Sequence, residues 1–303
     1  MFHNNPKALF ALIYTVIVWG ITPVMARSAA VALGGYDFLV TRMAISGLIF
    51  AGLLAAFSSF HVERQDWPRL ALISFIGTFG YFAFSSFGFA HAPAGIGTLI
   101  MSTQPMLIAI LAWAVGVDRL GRLTIIGLIV SFAGSALLVW GDDISAGTVS
   151  RYDLLLGCGC ILAASVGWSV YVVFSKPLIL KYGPLKVTGL ANILAALPTL
   201  TLLRPYMGHA LVNLPSNAVW ALVMLFTVGT SSVISWNYAA GHARPSLLGM
   251  SLYVMPVIAV FSGWLLLGEP ITTQIMVAAA IILAGVAISQ ANTFRYKVTE
   301  VHT

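Results

Sequence analysis

Charged residues are scarce in this sequence. Asp, Glu, Lys and Arg together make up 8% of the 303 residues, whereas ordinary soluble domains carry about 25%. Hydrophobic residues make up 59%, which is too large a share for a water-soluble fold to bury. The composition therefore excludes a soluble globular domain and indicates an integral membrane protein.

Cysteine and catalytic motifs are scarce as well. Cys158 and Cys160 are the only cysteines, and on a helix their side chains would point about 200° apart. We therefore predict that they are packing residues and form neither a disulfide nor a metal site. The sequence contains no HExxH or GxSxG motif, so we predict no enzyme activity, no cofactor and no metal.

Long apolar runs dominate what is present. Runs of about 18 or more residues, enough to cross a hydrocarbon core about 30 Å thick, recur along the whole chain. They are continuous, not alternating, which favours helices over a β-barrel. We predict an all-α membrane protein with ten transmembrane helices, at residues 8–33, 37–60, 69–90, 96–116, 121–140, 154–175, 185–203, 217–240, 246–267 and 271–290.

Basic residues predict the orientation. With a cytoplasmic amino terminus, only Arg151 and Arg204 fall in outer loops. The inner side then holds Lys7, Arg64, Arg69, Arg119, Arg122, Lys176, Lys181, Lys186, Arg244, Arg295 and Lys297. We predict an inner-membrane protein with both termini cytoplasmic, whose basic collars face membrane lipids and bind no nucleic acid.

The chain contains an internal repeat. Residues 104–120, QPMLIAILAWAVGVDRL, align with residues 255–271, MPVIAVFSGWLLLGEPI, at an offset of 151 residues. Proline, tryptophan and an acid fall in the same places. An offset of 149 residues pairs Trp19 with Trp168, and Gly34 with Gly183. We predict two five-helix halves, residues 1–146 and 147–303.

An odd number of helices in each half has a topological consequence. The second half must enter the membrane from the opposite face, so the fold is predicted to be a 5+5 inverted-topology repeat. In secondary transporters of this plan, the substrate site lies between the halves near the bilayer midplane. The pattern therefore favours a transporter that works by alternating access.

The same residues carry a family resemblance. VWGITPV in span 1, Arg42 early in span 2, and the segments ending in VGVDRL and LLGEPI resemble the EamA half-repeat of the drug/metabolite transporter superfamily. Within it, the chain most resembles the YddG-type aromatic amino-acid exporters. In the first half the acid is Asp118 and follows a valine, which departs from the usual Gly-Glu. The resemblance implies export of aromatic or hydrophobic amino acids.

Helix breakers in the apolar runs are candidate hinges. In VIVWGITPVMAR, residues 16–27, Pro23 removes a backbone donor, and Gly20 permits bending or a close helix contact. Thr22 can bond the loosened backbone. Either the break serves packing alone or it shapes a cavity, and the two readings overlap. The predicted hinge residues are Gly20, Pro23, Pro105 and Pro256.

Aromatic and uncharged polar residues form the predicted substrate site. Each aromatic residue alone is also a candidate for packing or for the interface belt, whereas amides deep in apolar runs are costly when they face lipid. The predicted substrate-binding residues are Trp19, Thr22, Tyr81, Ser85, Ser102, Gln104, Trp168, Tyr171, Trp236, Asn237 and Tyr253.

Charged groups within the spans have alternative readings. We expect Arg27 and Arg42 to snorkel or to pair with Asp37, although either one can instead meet a substrate carboxylate. His91 and His242 each end a span and are expected to be solvated. No acid lies near the middle of a predicted span, so a proton-coupled mechanism lacks support.

The predicted function is export of aromatic or hydrophobic amino acids and related amphiphilic metabolites, by uniport. The alternative is multidrug efflux of lipophilic cations, which a hidden carboxylate or a strong cation–π box lining the pathway would favour. Small residues at Gly127, Ser131 and Ser135, and at Ala280 and Ala284, predict close helix packing or a dimer contact. We therefore expect a monomer or a weak homodimer.

Overall fold

The protein is all-helical over the part of the chain that the structure describes. This computed structural model describes residues 6–117, 122–140, 149–202, 211–242 and 254–299, and no strand occurs among them. Five helical segments are long and apolar enough to cross a membrane, and four apolar helices are shorter. The all-α prediction is confirmed.

The helices follow the predicted apolar runs closely. They are α1 (Pro6–Phe57), α2 (Trp67–Leu72), α3 (Tyr81–His91), α4 (Ala94–Met101), α5 (Gln104–Ala114), α6 (Arg122–Trp140), α7 (Arg151–Tyr182), α8 (Pro184–Leu200), α9 (Ser216–His242), α10 (Val254–Leu267) and α11 (Thr273–Thr299). A 3₁₀ turn, Arg64–Asp66, precedes α2, and a π-helical stretch, Ile73–Gly80, joins α2 to α3.

Two glycines turn the chain between successive apolar helices in the same way. Gly34 interrupts α1 with φ 79° and ψ 153°, and Gly183 separates α7 from α8 with φ 84° and ψ 157°. A residue with a Cβ rarely adopts such a conformation. These are the two glycines that the 149-residue offset pairs, so the repeat extends to backbone geometry.

α3 and α7 run antiparallel and pack closely. Gly88 near the end of α3 meets Ile161 in the first half of α7, where an added Cβ would lie 2.5 Å from the Ile161 side chain. Gly77, before α3, meets Tyr171 in the second half of α7. Residue numbers therefore increase along α3 in the direction in which they decrease along α7.

α6 and α11 also run antiparallel. The Ser131 hydroxyl donates to the Ile282 carbonyl over 3.0 Å. A Cβ on Gly134 would lie 2.8 Å from the Ile282 side chain, and Gly285 packs against the Ser131 backbone. The prediction of close packing through Gly127 and Ser131 fits this contact.

The prediction that Ala280 and Ala284 pack against another helix of the same chain was wrong, while a dimer contact through them stays a prediction. Ala280 and Ala284 are exposed, and the buried residues of α11 near this contact are Ala278, Ile282, Gly285 and Val286. The large side chain of Ile282 fills the space opposite Gly134. Small residues alone therefore do not identify the face of α11 that packs against α6. Ser135 has a side chain outside the described part.

Candidate functional site

Three aromatic side chains stack where α3 meets α7. The Trp168 ring lies 5.4 Å from the Tyr81 ring and 5.4 Å from the Tyr171 ring, with which it is stacked. The Tyr171 hydroxyl lies 3.0 Å from the Thr188 hydroxyl of α8. All three aromatic residues are half-buried. We call Tyr81, Trp168 and Tyr171 the aromatic cluster.

A second aromatic contact joins α1 to α9. The Trp19 and Trp236 rings are 5.0 Å apart, and the Trp19 Nε1–H donates to the Ser232 hydroxyl over 2.9 Å. The adjacent Tyr14 and Ser231 hydroxyls are 2.7 Å apart. The polar edge of Trp19 is thus already satisfied by the protein.

Arg42 lies beside the aromatic cluster and not against Asp37. Its guanidinium carbon is 4.2 Å from the centre of the Phe82 ring, and the Phe82 ring is 5.0 Å from that of Tyr81. It is also 5.6 Å from the Phe38 ring. The predicted pairing of Arg42 with Asp37 is wrong, because among the described residues no ion pair joins the two, and one buried Asp37 carboxylate oxygen has no hydrogen-bond partner.

Arg27 also pairs with a residue other than Asp37. Its Nε lies 3.2 Å from Glu269 Oε1, and one terminal nitrogen donates to the Phe89 and Ala92 carbonyls. The side chains of Arg27 and Glu269 are 14% and 13% exposed. Glu269 lies far from Arg27 in sequence, whereas Asp37 is close to it in sequence. Proximity along the chain therefore predicted the wrong partner.

Glu269 is held from a second direction by the start of α4. The Ala94 and Gly95 backbone N–H groups donate to its two carboxylate oxygens over 2.8 and 3.2 Å. The partial positive charge of a helix amino terminus favours a carboxylate there. A small crevice opens beside this contact, lined in part by Pro93, Val260 and Pro270.

Of the remaining predicted substrate residues, one contacts α7 and three bond to their own helix. Gln104 is half-buried, with its amide nitrogen 3.5 Å from the Ser165 hydroxyl. The hydroxyls of Thr22, Ser85 and Ser102 each donate to a carbonyl three or four residues earlier. Tyr253 and the side chain of Asn237 lie outside the described residues.

The predicted hinge residues occupy two kinds of position. Gly20 and Pro23 are buried within α1, whose backbone stays helical on both sides of them up to Gly34. A Cβ on Gly20 would lie 2.7 Å from the Ile258 side chain of α10. Pro105 lies in the first turn of α5, where a missing N–H costs little, and Pro256 is buried in α10.

Two polar contacts at helix ends lie away from the aromatic cluster. His91 Nδ1 is 2.9 Å from an Asp153 carboxylate oxygen, and its side chain is 34% exposed at the end of α3, so it is partly solvated and has a partner that was not predicted. At the other end of α7, the Lys181 ammonium is 2.7 Å from Glu63 and 2.8 Å from Asp66. The hydrogen bond from Lys181 lowers the pKa of Glu63 below its ordinary value. His242 has a side chain outside the described part.

Several contacting residues escaped the sequence analysis. Phe82, Thr188 and Ser232 each touch a predicted residue, yet none carries a motif of its own. Glu269 was noted as part of LLGEPI, but its contact with Arg27 was not predicted. The repeat held one usable signal, because Ser232 lies 151 residues after Tyr81 and both contact the paired tryptophans. Within the described ranges, no group of three or more His, Cys, Asp or Glu is placed to hold a metal.

The chain is similar to known transporters over nearly its whole length. A model of the EamA-like transporter family matches residues 6–140 and again residues 155–290. An uncharacterized transporter of Archaeoglobus fulgidus is 22% identical, with 93% of this chain and 98% of that protein covered. Two bacterial relatives carry more specific names.

The first of these is a probable terminal-alkyne amino-acid exporter of Streptantibioticus cattleyicolor, 27% identical over 95% of this chain and 94% of its own. The second is a probable amino-acid metabolite efflux pump of Salmonella typhimurium, 26% identical over 95% of each chain. A solved crystal structure superposes with a TM-score of 0.57 at 23% identity, covering 97% of this chain and 99% of that one. At this identity the superposition shows a shared fold.

Proposed function

The chain belongs to the EamA-like transporter family, and on that premise we propose that it exports aromatic and other hydrophobic amino acids, with related metabolites, across the cell's inner membrane. The names of the amino-acid exporter and efflux-pump relatives support the substrate class. The proposed mechanism is alternating access by ten transmembrane helices, with both termini in the cytoplasm.

The observation that carries the substrate class is the aromatic cluster. Tyr81 comes from the first family match, whereas Trp168 and Tyr171 come from the second, so the stacked rings lie between the two matched segments. Half-buried aromatic rings offer a large apolar contact with directional polar edges. An amino acid with an aromatic or large aliphatic side chain suits such a surface.

The directions of the packed helices support an inverted repeat. The antiparallel contact of α3 with α7 brings Trp168 to Tyr81, and the contact of α1 with α9 brings Trp19 to Ser232. These are the same two positions with the halves exchanged. A pair of equivalent contacts between the two halves allows two states of similar energy, related by a pseudo-two-fold axis, which alternating access requires.

We propose uniport driven by the gradient of the amino acid itself. Glu269 is engaged by Arg27 and by two backbone N–H groups, so it serves as a structural contact between helices. Asp153 contacts His91 and is half-buried at the start of α7. It precedes Tyr171 by about twenty residues in sequence, so it lies away from the aromatic cluster. A concentration difference then sets the direction of net flux.

Reconstituted protein tests this proposal. Uptake of radiolabelled phenylalanine, leucine, glutamate and a lipophilic cation is measured in proteoliposomes, with and without a pH gradient. The proposal predicts transport of phenylalanine and leucine that is insensitive to the pH gradient. Transport of the lipophilic cation alone would instead establish multidrug efflux, and a strict need for the pH gradient would overturn uniport.

A further inference from the structure

We propose that Arg42 binds the carboxylate of the transported amino acid and makes the protein selective for substrates that carry one. This inference rests on the proposed function, because it names the group that recognises one end of the proposed substrate. It follows from three observations on Arg42 and the aromatic cluster beside it.

The first observation is that Arg42 is a half-buried charge without an anionic partner. Neither a hydrogen bond nor an ion pair joins it to any described residue, and its guanidinium lies over the Phe82 and Phe38 rings. It lies eight residues after the Gly34 turn, about 12 Å along the helix axis. An ionisable residue at such a depth normally has a partner or marks a substrate pathway.

The contrast with Arg27 strengthens this observation. Arg27 is the other arginine that lies more than one residue from the end of a predicted span, and it is fully engaged by Glu269 and two carbonyl groups. The protein therefore neutralises one intramembrane arginine and leaves the donors of the other unused. Stacking on Phe82 holds the Arg42 guanidinium plane in place while its five N–H groups stay available.

The second observation is that two neighbouring aromatic residues also carry hydrogen-bond donors that have no partner among the described residues. Neither the Tyr81 hydroxyl nor the Trp168 Nε1–H makes a hydrogen bond with any described residue. By comparison, Trp19 at the equivalent position donates to Ser232. Donors gathered beside a fixed positive charge match the acceptor oxygens of a carboxylate, and a guanidinium can hold both oxygens at once.

The third observation is that the arrangement occurs once and not in both halves. At the 149-residue offset, the counterpart of Arg42 is Ala191, which is buried in an apolar cluster. The repeat therefore supplies two aromatic contacts but a single cation. One cation beside one set of rings defines one site with two ends, in which the carboxylate meets Arg42 and the side chain lies on the rings.

Competition by an amide analogue tests the assignment. Full-length protein in liposomes is assayed for phenylalanine uptake in the presence of phenylalaninamide, which keeps the ring and the amino group but lacks the carboxylate. We expect wild type to bind phenylalanine at least about tenfold more tightly than the amide, as a lost charge-assisted hydrogen bond implies. Arg42→Gln is expected to bring the ratio of the two affinities to about one to twofold, and Arg42→Lys to an intermediate value.

Arg69→Gln is the matched control, because Arg69 is an exposed arginine in α2. It should keep the wild-type ratio. If wild type transports no amino acid, the proposed function fails. If wild type transports phenylalanine and Arg42→Gln keeps the full ratio, or if wild type binds the amide equally well, the assignment of Arg42 is wrong while the proposed function stands.

A second measurement needs no variant and so does not depend on the folding of Arg42→Gln. The wild-type protein is treated with phenylglyoxal, which modifies arginine, and the modified positions are mapped by peptide mass spectrometry. Phenylalanine is expected to protect Arg42 at least about fivefold, and phenylalaninamide to leave it reactive, as expected of a bidentate guanidinium contact. Equal modification of Arg42 with both compounds would overturn the inference.

Discussion

The guanidinium of Arg27 forms an ion pair with the carboxylate of Glu269, with Nε and Oε1 3.2 Å apart. The two residues belong to different family matches, and Glu269 also accepts hydrogen bonds from the start of α4. One carboxylate thus connects α1, α4 and the segment that follows α10. This contact joins the two matched segments.

Removing this carboxylate is expected to destabilise the protein. Glu269→Gln leaves the buried Arg27 charge unpaired, at a cost of about 3 kcal/mol in the free energy of unfolding. Unfolding of the purified protein in mild detergent, followed by tryptophan fluorescence, measures the change. The double variant Arg27→Gln with Glu269→Gln should lose at least about 1 kcal/mol less than the sum of the single losses. Strictly additive losses would mean that the two side chains do not interact.

The two turn glycines are expected to be intolerant of a Cβ. Gly34 and Gly183 adopt positive φ angles, so Gly34→Ala and Gly183→Ala should each lower the free energy of unfolding by about 1 to 3 kcal/mol. Gly52→Ala is the control, since Gly52 is helical and a Cβ there would meet nothing within 4 Å. Equal stability of all three variants would show that the turns do not need glycine.

The contact between α6 and α11 is expected to be sensitive to side-chain size. A Cβ on Gly134 would lie 2.8 Å from Ile282, so Gly134→Leu should cost about 1 to 3 kcal/mol or more through overpacking. Ala284→Leu is the control, because it introduces the same side chain into the same helix pair at an exposed position. Thermal stability in detergent should fall only for the first variant; a comparable fall for Ala284→Leu would place Ala284 in a contact.

The two paired tryptophans are expected to respond differently to truncation. Trp168→Ala removes the central ring of the aromatic cluster and should raise KM for phenylalanine by about three- to tenfold, as the loss of an aromatic contact implies. Trp19→Ala breaks the bond to Ser232 and should lower thermal stability more than it changes KM. Initial uptake rates in proteoliposomes, normalised to folded protein, separate the two effects. Equal KM values in wild type and Trp168→Ala would exclude Trp168 from the site.

The fold was readable from the sequence to a large extent. Apolar runs long enough to span a bilayer predicted the described helices to within a few residues at most ends, because lipid forces the backbone to bond within each helix. The 149-residue offset also identified Gly34 and Gly183, whose shared backbone conformation only glycine adopts readily.

The contacts of charged and small residues were less readable. Arg27 found its partner more than two hundred residues away in Glu269, and local spacing along one helix carries no information about such a contact. Ala280 and Ala284 have the spacing of a packing stripe, yet they face outward because Ile282 fills the opposite surface. Hydrophobic patterning is weak in a helix that is apolar on every side, so it does not distinguish a lipid face from a protein face.

The central claim is that the protein is a carrier of aromatic amino acids that exposes one site alternately to the two sides. Counterflow tests it most directly: proteoliposomes loaded with unlabelled phenylalanine are diluted into medium with a trace of labelled phenylalanine. A carrier predicts transient accumulation of label inside well above its equilibrium level, because each outward movement of unlabelled substrate returns the site for labelled substrate. Label that rises only to equilibrium, at the same rate in loaded and empty liposomes, would contradict the account.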